Sequence, residues 1–454
     1  MKHYDVIVVG SGPGGFAAAA RTAELGLQTA LIESAELGGV CLNRGCIPTK
    51  TLLKSAKVID SFRHAADYGV AAGNFAPDIE KIVAGARNVS DTLRKGLEFN
   101  LKKSGVDIIP GFAQLKPGKT VRLNDEYELK AENIVLAVGA RPRELPALPI
   151  DELYVSSYKT ALFPERIPES LLIVGSGAIG AELAWFYNAL GAKVTIAEYL
   201  PAVLPAADDD VSAYLSRSLR KAGIAVTTGT NVECVTVENG QCAVRLASGK
   251  GVETRVFDRV LSAVGVTANI DRIGLEETGV QTVGGKIATD RFMQTSVAGI
   301  YAIGDVTQSP SLAHVASAEA LVCAEKIAGR NPRPVDYNCI PACVYTVPEI
   351  ASVGMTEREA RAAGHALKIG KVPFTASGKA AAERNRDGFV KLIFDESSLV
   401  LLGAHLVGAG VTENIAALVA SKQLELTAKQ IAEFVCPHPS MSETVMEAAA
   451  MVIR

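Results

Sequence analysis

Two cysteines five positions apart, Cys41 and Cys46 in GGVCLNRGCIPTK (38–50), are the residues of this chain best suited to chemistry. Such a pair can clip a metal, staple a loop or exchange electrons. A structural zinc site usually needs four ligands in two spaced pairs, and no second pair stands near this one, so no metal is expected. A bridge over so short a loop removes little unfolded-state entropy, and a reducing compartment does not sustain ordinary structural disulfides. Redox chemistry fits better. The residues after Cys46 carry apolar side chains at helical spacing, with Pro48 in a tolerated first-turn position. Cys46 is therefore predicted at a positive helix N-terminus, where a thiolate is stabilised, and Arg44 is expected to add charge there. Five residues of regular helix rise about 7.5 Å, beyond the usual span of a disulfide. The backbone must leave helical geometry if the pair bridges, and Gly45 permits that.

A second constellation is CPHPSMSE (436–443), in which His438 and Glu443 also stand five apart. A thiol with an ordinary pKa of about 8.5 needs a base near neutrality, and imidazole suits that task. A carboxylate on the other ring nitrogen would fix the tautomer and stabilise the imidazolium. The plainer alternative is a solvated histidine and a glutamate in the first turn of the helix SETVMEAAAMVI. The sequence leaves the role of Cys436 open.

The elements that would position these groups announce themselves as a repeat. YDVIVVGSGPGGFAAAARTAELGLQTALIES begins at Tyr4 and LLIVGSGAIGAELAWFYNALGAKVTIAEY at Leu171. Gly10, Gly12 and Gly15 correspond to Gly175, Gly177 and Gly180, and Glu33 to Glu198, at one constant offset of 165 (175 minus 10). Each copy reads as a strand, a glycine turn, a helix and a second strand closed by an acid. The first glycine allows the tight turn, the second lets backbone N–H groups approach a pyrophosphate, and the third allows close packing of helix on strand. The acid suits a ribose hydroxyl. Two dinucleotides are expected. After the second acid, AEYLPAVLPAADDD offers no arginine or lysine until Arg217, so a 2′-phosphate would meet negative charge and NAD is favoured over NADP. Residues 299–329 read as a short strand ending in Gly304-Asp305 and then a helix, an arrangement in which the acid can hold a polyol hydroxyl.

With 454 residues the chain is expected to form about three domains, since compact domains hold roughly 100–200 residues. Hydrophobic residues make up 48% and charged residues 21%, a globular balance, and the net charge of −3 comes with no basic run of the kind nucleic acid requires. No apolar run approaches the roughly 18 residues of a membrane span, and the short preamble before the first strand shows no cleavable signal. A cytoplasmic protein that binds neither nucleic acid nor membrane is expected.

Taken end to end, the two fingerprints, GGVCLNRGCIPTK, YAIGD, YTVPEIASVGMTE and HPSMSE make the chain resemble the flavoprotein disulfide reductases. The resemblance implies an α/β fold with two Rossmann-like dinucleotide-binding domains, for FAD and NAD, and a C-terminal α+β dimerisation domain. It implies an FAD-binding domain at 1–142 and 270–337, an NAD-binding domain at 143–269 and an interface domain at 338–454. By the same carry-over Cys46 faces the flavin and Cys41 exchanges with substrate. Gly10, Gly12, Gly15, Glu33, Lys50, Ala113, Gly304, Asp305 and Ala313 attend FAD, with Lys50 near the flavin and paired with Glu182. Gly175, Gly177, Gly180, Glu182, Glu198, Val232 and Gly265 attend NAD. His438 and Glu443 are implied to reach the cysteine pair of a second subunit in a homodimer. The chain departs from the common pattern at Arg44, at AVGA (137–140) and at GVTAN (265–269).

The acidic NAD signature and a C-terminus, MEAAAMVIR, without an extra cysteine pair point within that family to the NAD-linked branch that oxidises protein-bound dihydrolipoyl groups. The partner implied is a lipoyl-bearing protein of a 2-oxoacid dehydrogenase or glycine cleavage system. The alternatives are an NADH-dependent reductase of another small disulfide and a silent flavoprotein assembly subunit.

Overall fold

The apolar run HYDVIVV forms the strand His3–Val9, and Val6, Ile7 and Val8 within it are fully buried. A strand covered on both faces needs a near-continuous apolar run, as in parallel sheets with helices on either side. Each such side chain contributes about 1.5–3 kcal/mol when removed from water. The computed structural model describes residues 2–71 and 73–453. They divide into two compact units, the first formed by Met1–Leu52, Asp78–Arg143 and Gly265–Val335, the second by Leu53–Pro77, Glu144–Val264 and Asp336–Arg454.

The first unit is built on a seven-stranded sheet in the order Asp107–Pro110, Thr29–Glu33, His3–Val9, Tyr127–Leu136, Thr120–Leu123, Ala113–Lys116, with Ile300–Ala302 also paired to Tyr127–Leu136. Val9 lies opposite Ile32 on one side and Leu136 on the other, all in parallel register. The helix Pro13–Glu24 follows the first strand. The second unit repeats the plan with a five-stranded parallel sheet ordered Ala225–Thr227, Lys193–Ala197, Ser170–Val174, Arg259–Ser262, Val155–Ser156. There Val174 lies opposite Ala197, the Val9–Ile32 pairing shifted by the repeat offset, and opposite Ser262 on its other side.

The second unit also holds a five-stranded antiparallel sheet, Pro341–Val344, Glu349–Gly354, Leu401–Gly408, Phe389–Asp395, Leu367–Pro373, covered by the helices Val411–Gln423 and Glu443–Ile453. The architecture is thus the expected α/β pair followed by an α+β region. The two stretches that depart from the family pattern meet: Ala140–Pro142 pairs with Val266–Ala268 as a two-stranded ribbon, and Asn269 donates to the Val138 carbonyl at 2.9 Å.

The short strand expected to end at Gly304-Asp305 stops instead at Ala302. Gly304 turns to φ +73°, outside the extended region, and begins a 3₁₀ turn, Gly304–Val306. Among the described residues no helix is long and apolar enough to cross a membrane, and no group of three or more His, Cys, Asp or Glu could hold a metal.

Candidate active site

The cysteine segment folds as two helical pieces. Cys41 lies in Gly39–Arg44, and Cys46 is the first residue of Cys46–Arg63. Gly45 between them departs from helix with φ −146° and ψ −112°, and a Cβ there would come within 2.9 Å of the Val40 carbonyl oxygen and 3.2 Å of the Cys41 Cα. The break expected at Gly45 is present, and it sets the two thiols beside each other. A hydrogen bond shared with the Cys46 side chain pushes the Cys41 thiol well up, burial adds to this, and the Cys46 backbone and the charge of Lys50 act in the opposite sense. Lys50 sits one turn into the same helix as Cys46. The Arg44 guanidinium, about half exposed, lies 3.5 Å from Glu36.

The cysteine helix is seated directly on the first fingerprint. A Cβ on Gly39 would meet the Cα of Gly12 at 2.8 Å, so only glycine permits this approach. Ser11, inside the glycine turn, joins the two by hydrogen bonds: its hydroxyl donates to Glu33 Oε2 at 2.6 Å and accepts the Gly38 N–H at 3.0 Å. Buried Asn43 closes the turn, donating to the carbonyls of Leu37 at 2.8 Å and Gly39 at 2.9 Å.

Both fingerprints have the same internal geometry. A Cβ on Gly15 would sit 1.8 Å from the Gly10 carbonyl oxygen, and one on Gly180 would sit 2.1 Å from that of Gly175. The middle glycines differ from these: Gly12 and Gly177 are N-caps with nothing in the chain within 4 Å of a Cβ, and neither helix has a side-chain cap. Asp78 and Asp208, by contrast, cap their helices with their own carboxylates. Open space above uncapped N–H groups at a positive helix end is what a pyrophosphate fits. Glu198 Oε2 accepts from Ser176 N–H at 2.8 Å and Ser176 Oγ at 2.6 Å, matching Glu33, which accepts the Ser11 N–H at 2.9 Å. Ser11 and Ser176 were not among the expected site residues, although the repeated GSG carried their signal.

The remaining expected residues are distributed over both units. Asp305 is largely buried, and desolvation raises its pKa against a weaker opposing effect of Lys286, so a hydroxyl donor would relieve it. The neighbouring Gly304 N–H donates to buried Glu319 at 2.7 Å, and Ala313 opens the helix Ala313–Ile327, whose N-cap Leu312 gives no side-chain cap. Ala113 is buried at the start of its strand. In the second unit Glu182 is buried in the helix Ala178–Ala189 and accepts the Tyr345 N–H at 3.0 Å, and buried Val232 sits where the strand Thr230–Glu238 slips register. Gly265, with φ +101°, accepts the Arg143 N–H through its carbonyl at 3.0 Å.

His438 and Glu443 are brought together. The ring Nδ1 lies 2.8 Å from Glu443 Oε1, and Glu443 Oε2 accepts the Ser440 N–H at 2.8 Å. The Ser440 N–H first, and then His438, hold the Glu443 carboxyl below its usual range. Glu443 is the first residue of the helix Glu443–Ile453, while the histidine side chain is 81% exposed. Cys436, in the same loop, donates to the Ser442 carbonyl at 3.6 Å.

Residues 4–320 match the family described as pyridine nucleotide-disulphide oxidoreductase, and residues 340–449 match its dimerisation domain. The chain belongs to the pyridine nucleotide-disulphide oxidoreductase family. Relatives of this oxidoreductase include the dihydrolipoyl dehydrogenase of Chlorobaculum parvum, 45% identical over 98% of this chain and 96% of that one. That of Rhizobium etli is 43% identical over 98% and 97% respectively. Among solved structures, LpdA from Mycobacterium tuberculosis superposes with a TM-score of 0.90 at 27% identity over the whole of both chains. The HOCl-induced flavoprotein disulfide reductase RclA from Escherichia coli does so with 0.88 at 26%, over 99% of this chain and 100% of that one.

Proposed function

We propose that this oxidoreductase is a dihydrolipoyl dehydrogenase that takes FAD at the first fingerprint and NAD at the second. The observation that carries the reading is the cysteine pair, broken at Gly45 and seated through Gly39 and Ser11 on the first fingerprint. The residue assignments follow the same reading. Gly10, Gly12, Gly15, Glu33, Lys50, Ala113, Gly304, Asp305 and Ala313 would hold FAD. Gly175, Gly177, Gly180, Glu182, Glu198, Val232 and Gly265 would hold NAD. The domain boundaries at 142/143, 269/270 and 337/338 belong to this proposal, as does action in the cytoplasm.

Starting from the bridged Cys41–Cys46 state, a dihydrolipoyl thiolate attacks the Cys41 sulfur, and the S–S bond breaks with Cys46 leaving as thiolate. His438 Nε2 takes the proton of the second substrate thiol, and Glu443 on Nδ1 stabilises the resulting imidazolium. That second sulfur displaces Cys41 from the mixed disulfide, so the lipoyl group leaves oxidised and the cysteine pair holds two electrons. Once the S–S bond has broken, the helix N-terminus stabilises the Cys46 thiolate. When bound, FAD supplies the chemistry that carries the electron pair on to NAD. The His438–Glu443 pair would serve the cysteines of a second copy of the chain, and the lipoyl group would arrive on another protein.

The deciding experiment is steady-state oxidation of free dihydrolipoamide with NAD by the FAD-loaded protein, beside NADH-driven reduction of other small disulfides. Turnover of the first is expected. Turnover confined to the second would reassign the substrate, and neither would leave a silent flavoprotein.

A further inference from the structure

Lys391, in the strand Phe389–Asp395, is only 2% exposed, and its ammonium lies 2.8 Å from each of Asp208, Asp210 and Glu357. Asp208 is itself 1% exposed. One of its oxygens accepts the Asp210 N–H at 3.1 Å, capping the helix Asp209–Lys221, and the other accepts the Glu357 N–H at 3.1 Å. A buried ammonium is costly unless paired and hydrogen-bonded, and here three carboxylates meet that need. Burial alone would lower the pKa of Lys391, but its hydrogen bonds to Asp208, Asp210 and Glu357 outweigh that and raise it, so it stays charged.

A buried ion cluster of this kind is weak evidence for stability, because well-packed apolar side chains could do as well; fixing one arrangement is its better-attested use. What it fixes is the end of the segment 199–208, which starts at the acid of the second fingerprint. The Leu200 N–H donates to Glu198 Oε1 at 2.8 Å, and the Leu204 N–H donates to Ser176 Oγ at 3.3 Å. The Ser212 hydroxyl donates to the Val203 carbonyl. Leu204 has φ +47°, a left-handed conformation that costs a leucine about 1–2 kcal/mol and persists only when both flanks hold it. One flank is held by Ser176 and Glu198, the other by Asp208 on Lys391.

We propose that Lys391 is a positioning residue of the second nucleotide site: by anchoring Asp208 it fixes the segment 199–208, and so holds Ser176 and Glu198 in the geometry that receives the adenosine ribose of NAD. This rests on the NAD reading of that fingerprint.

The test uses the FAD-loaded protein and two variants, Lys391→Met and Phe394→Leu, the second a core change in the same strand that leaves the ion cluster alone. Three readouts are taken: KM for NAD against kcat, thermal midpoint, and anaerobic reduction of the bound flavin by dihydrolipoamide, which uses no NAD. Lys391→Met is expected to raise KM for NAD about tenfold, toward the low end of coupling between sites, with flavin reduction changed by less than about twofold. Phe394→Leu should lower the thermal midpoint and leave KM for NAD unchanged. If both variants raise KM in step with their loss of thermal stability, or if Lys391→Met leaves KM unchanged, the proposal is overturned. Should Lys391→Met not fold, Asp208→Asn keeps a helix cap while weakening the ion pair; it should raise KM in the same sense, and an unchanged KM overturns the proposal. Failure of the NAD reading shows separately, as an unsubstituted protein whose flavin dihydrolipoamide reduces but which binds no NAD, and it removes this role for Lys391 with it.

Discussion

The two copies of the glycine repeat use one device for two different ends. In each, the serine of GSG donates its hydroxyl to the acid that closes the second strand, at 2.6 Å in both cases. The serine oxygen then accepts one more N–H, and here the copies part. Ser11 takes the N–H of Gly38, which leads into the helix bearing Cys41, whereas Ser176 takes that of Leu204, which leads toward Asp208 and Lys391. The repeated turn is therefore a socket, and what plugs into it distinguishes the copies. In the first it is the segment that carries the cysteine pair, in the second the segment that ends on the Lys391 ion cluster. A second difference is burial: Glu198 is 6% exposed, while Glu33 is only partly buried.

The largest effects should come from what the first copy carries and the second lacks. Cys46→Ser and Cys41→Ser should each cut dihydrolipoamide turnover on the order of 10⁴-fold or more, as for residues that act as a unit. They should differ spectroscopically: the Cys41 variant retains a thiolate able to give a long-wavelength band with bound flavin, and the Cys46 variant does not. Ordinary turnover in either would remove the redox role from this copy.

Next come the middle glycines, which separate folding from binding. Gly12→Ala and Gly177→Ala meet no atom of the chain, so each variant should keep its fold. Each added methyl occupies the space read as pyrophosphate-facing. Gly12→Ala should lose bound FAD on purification and Gly177→Ala should keep FAD but bind NAD weakly, both measured by absorbance and titration. Gly15→Ala, whose Cβ would lie 1.8 Å from a carbonyl oxygen, should instead lose thermal stability by about 1–3 kcal/mol. Equal behaviour of Gly12→Ala and Gly177→Ala toward both nucleotides would mean that the copies are not specialised.

A smaller effect is expected at the acids. Replacing Glu198 with serine and adding an arginine nearby should move preference from NAD toward NADP, because on the proposed reading the carboxylate would both bond the ribose and repel a 2′-phosphate. The same change at Glu33 should leave the nicotinamide preference alone. An unchanged preference in the Glu198 variant would make it a structural acid only.

How much of this could be read from the chain depended on distance along it. The glycine spacing, the acids and the helix start at Cys46 are local, so sequence alone placed them, and the offset of 165 residues doubled the signal. The His438–Glu443 pair was legible for the same reason, its members being five residues apart. Lys391 was invisible because its partners Asp208 and Asp210 lie 183 and 181 residues away, and an isolated lysine in a strand reads as a solvated charge. The ion pair of Arg44 with Glu36 is less legible, because a flexible guanidinium gives no sign in the sequence of which carboxylate it reaches. The end of the strand before Asp305 is not legible in the sequence, because an apolar run does not show where a glycine leaves the extended region. Ser11 and Ser176 stand in both copies, but only the structure shows their hydroxyls turned onto Glu33 and Glu198.

Those serines give the subtlest test of the socket. Ser11→Ala and Ser176→Ala each remove one hydroxyl from a carboxylate that retains its backbone N–H, at 2.9 Å for Glu33 and 2.8 Å for Glu198. A hydrogen bond to a charged group is worth about 1.5–3 kcal/mol, and the loss is felt most where water cannot replace the donor. Both hydroxyls are buried, but Glu33 is partly open and can recruit water, whereas Glu198 cannot. Ser176→Ala should therefore cost more, near the top of that range, and should appear as weaker NAD binding together with a lower thermal midpoint. Ser11→Ala should cost about 1 kcal/mol and appear chiefly in the rate at which dihydrolipoamide reduces the flavin, since the hydroxyl it removes also receives the N–H at the start of the cysteine segment. Stopped-flow reduction and NAD titration on the two variants read these effects independently. If Ser176→Ala slows flavin reduction as much as Ser11→Ala does, the two sockets are not separately wired, and the division of labour between the copies fails.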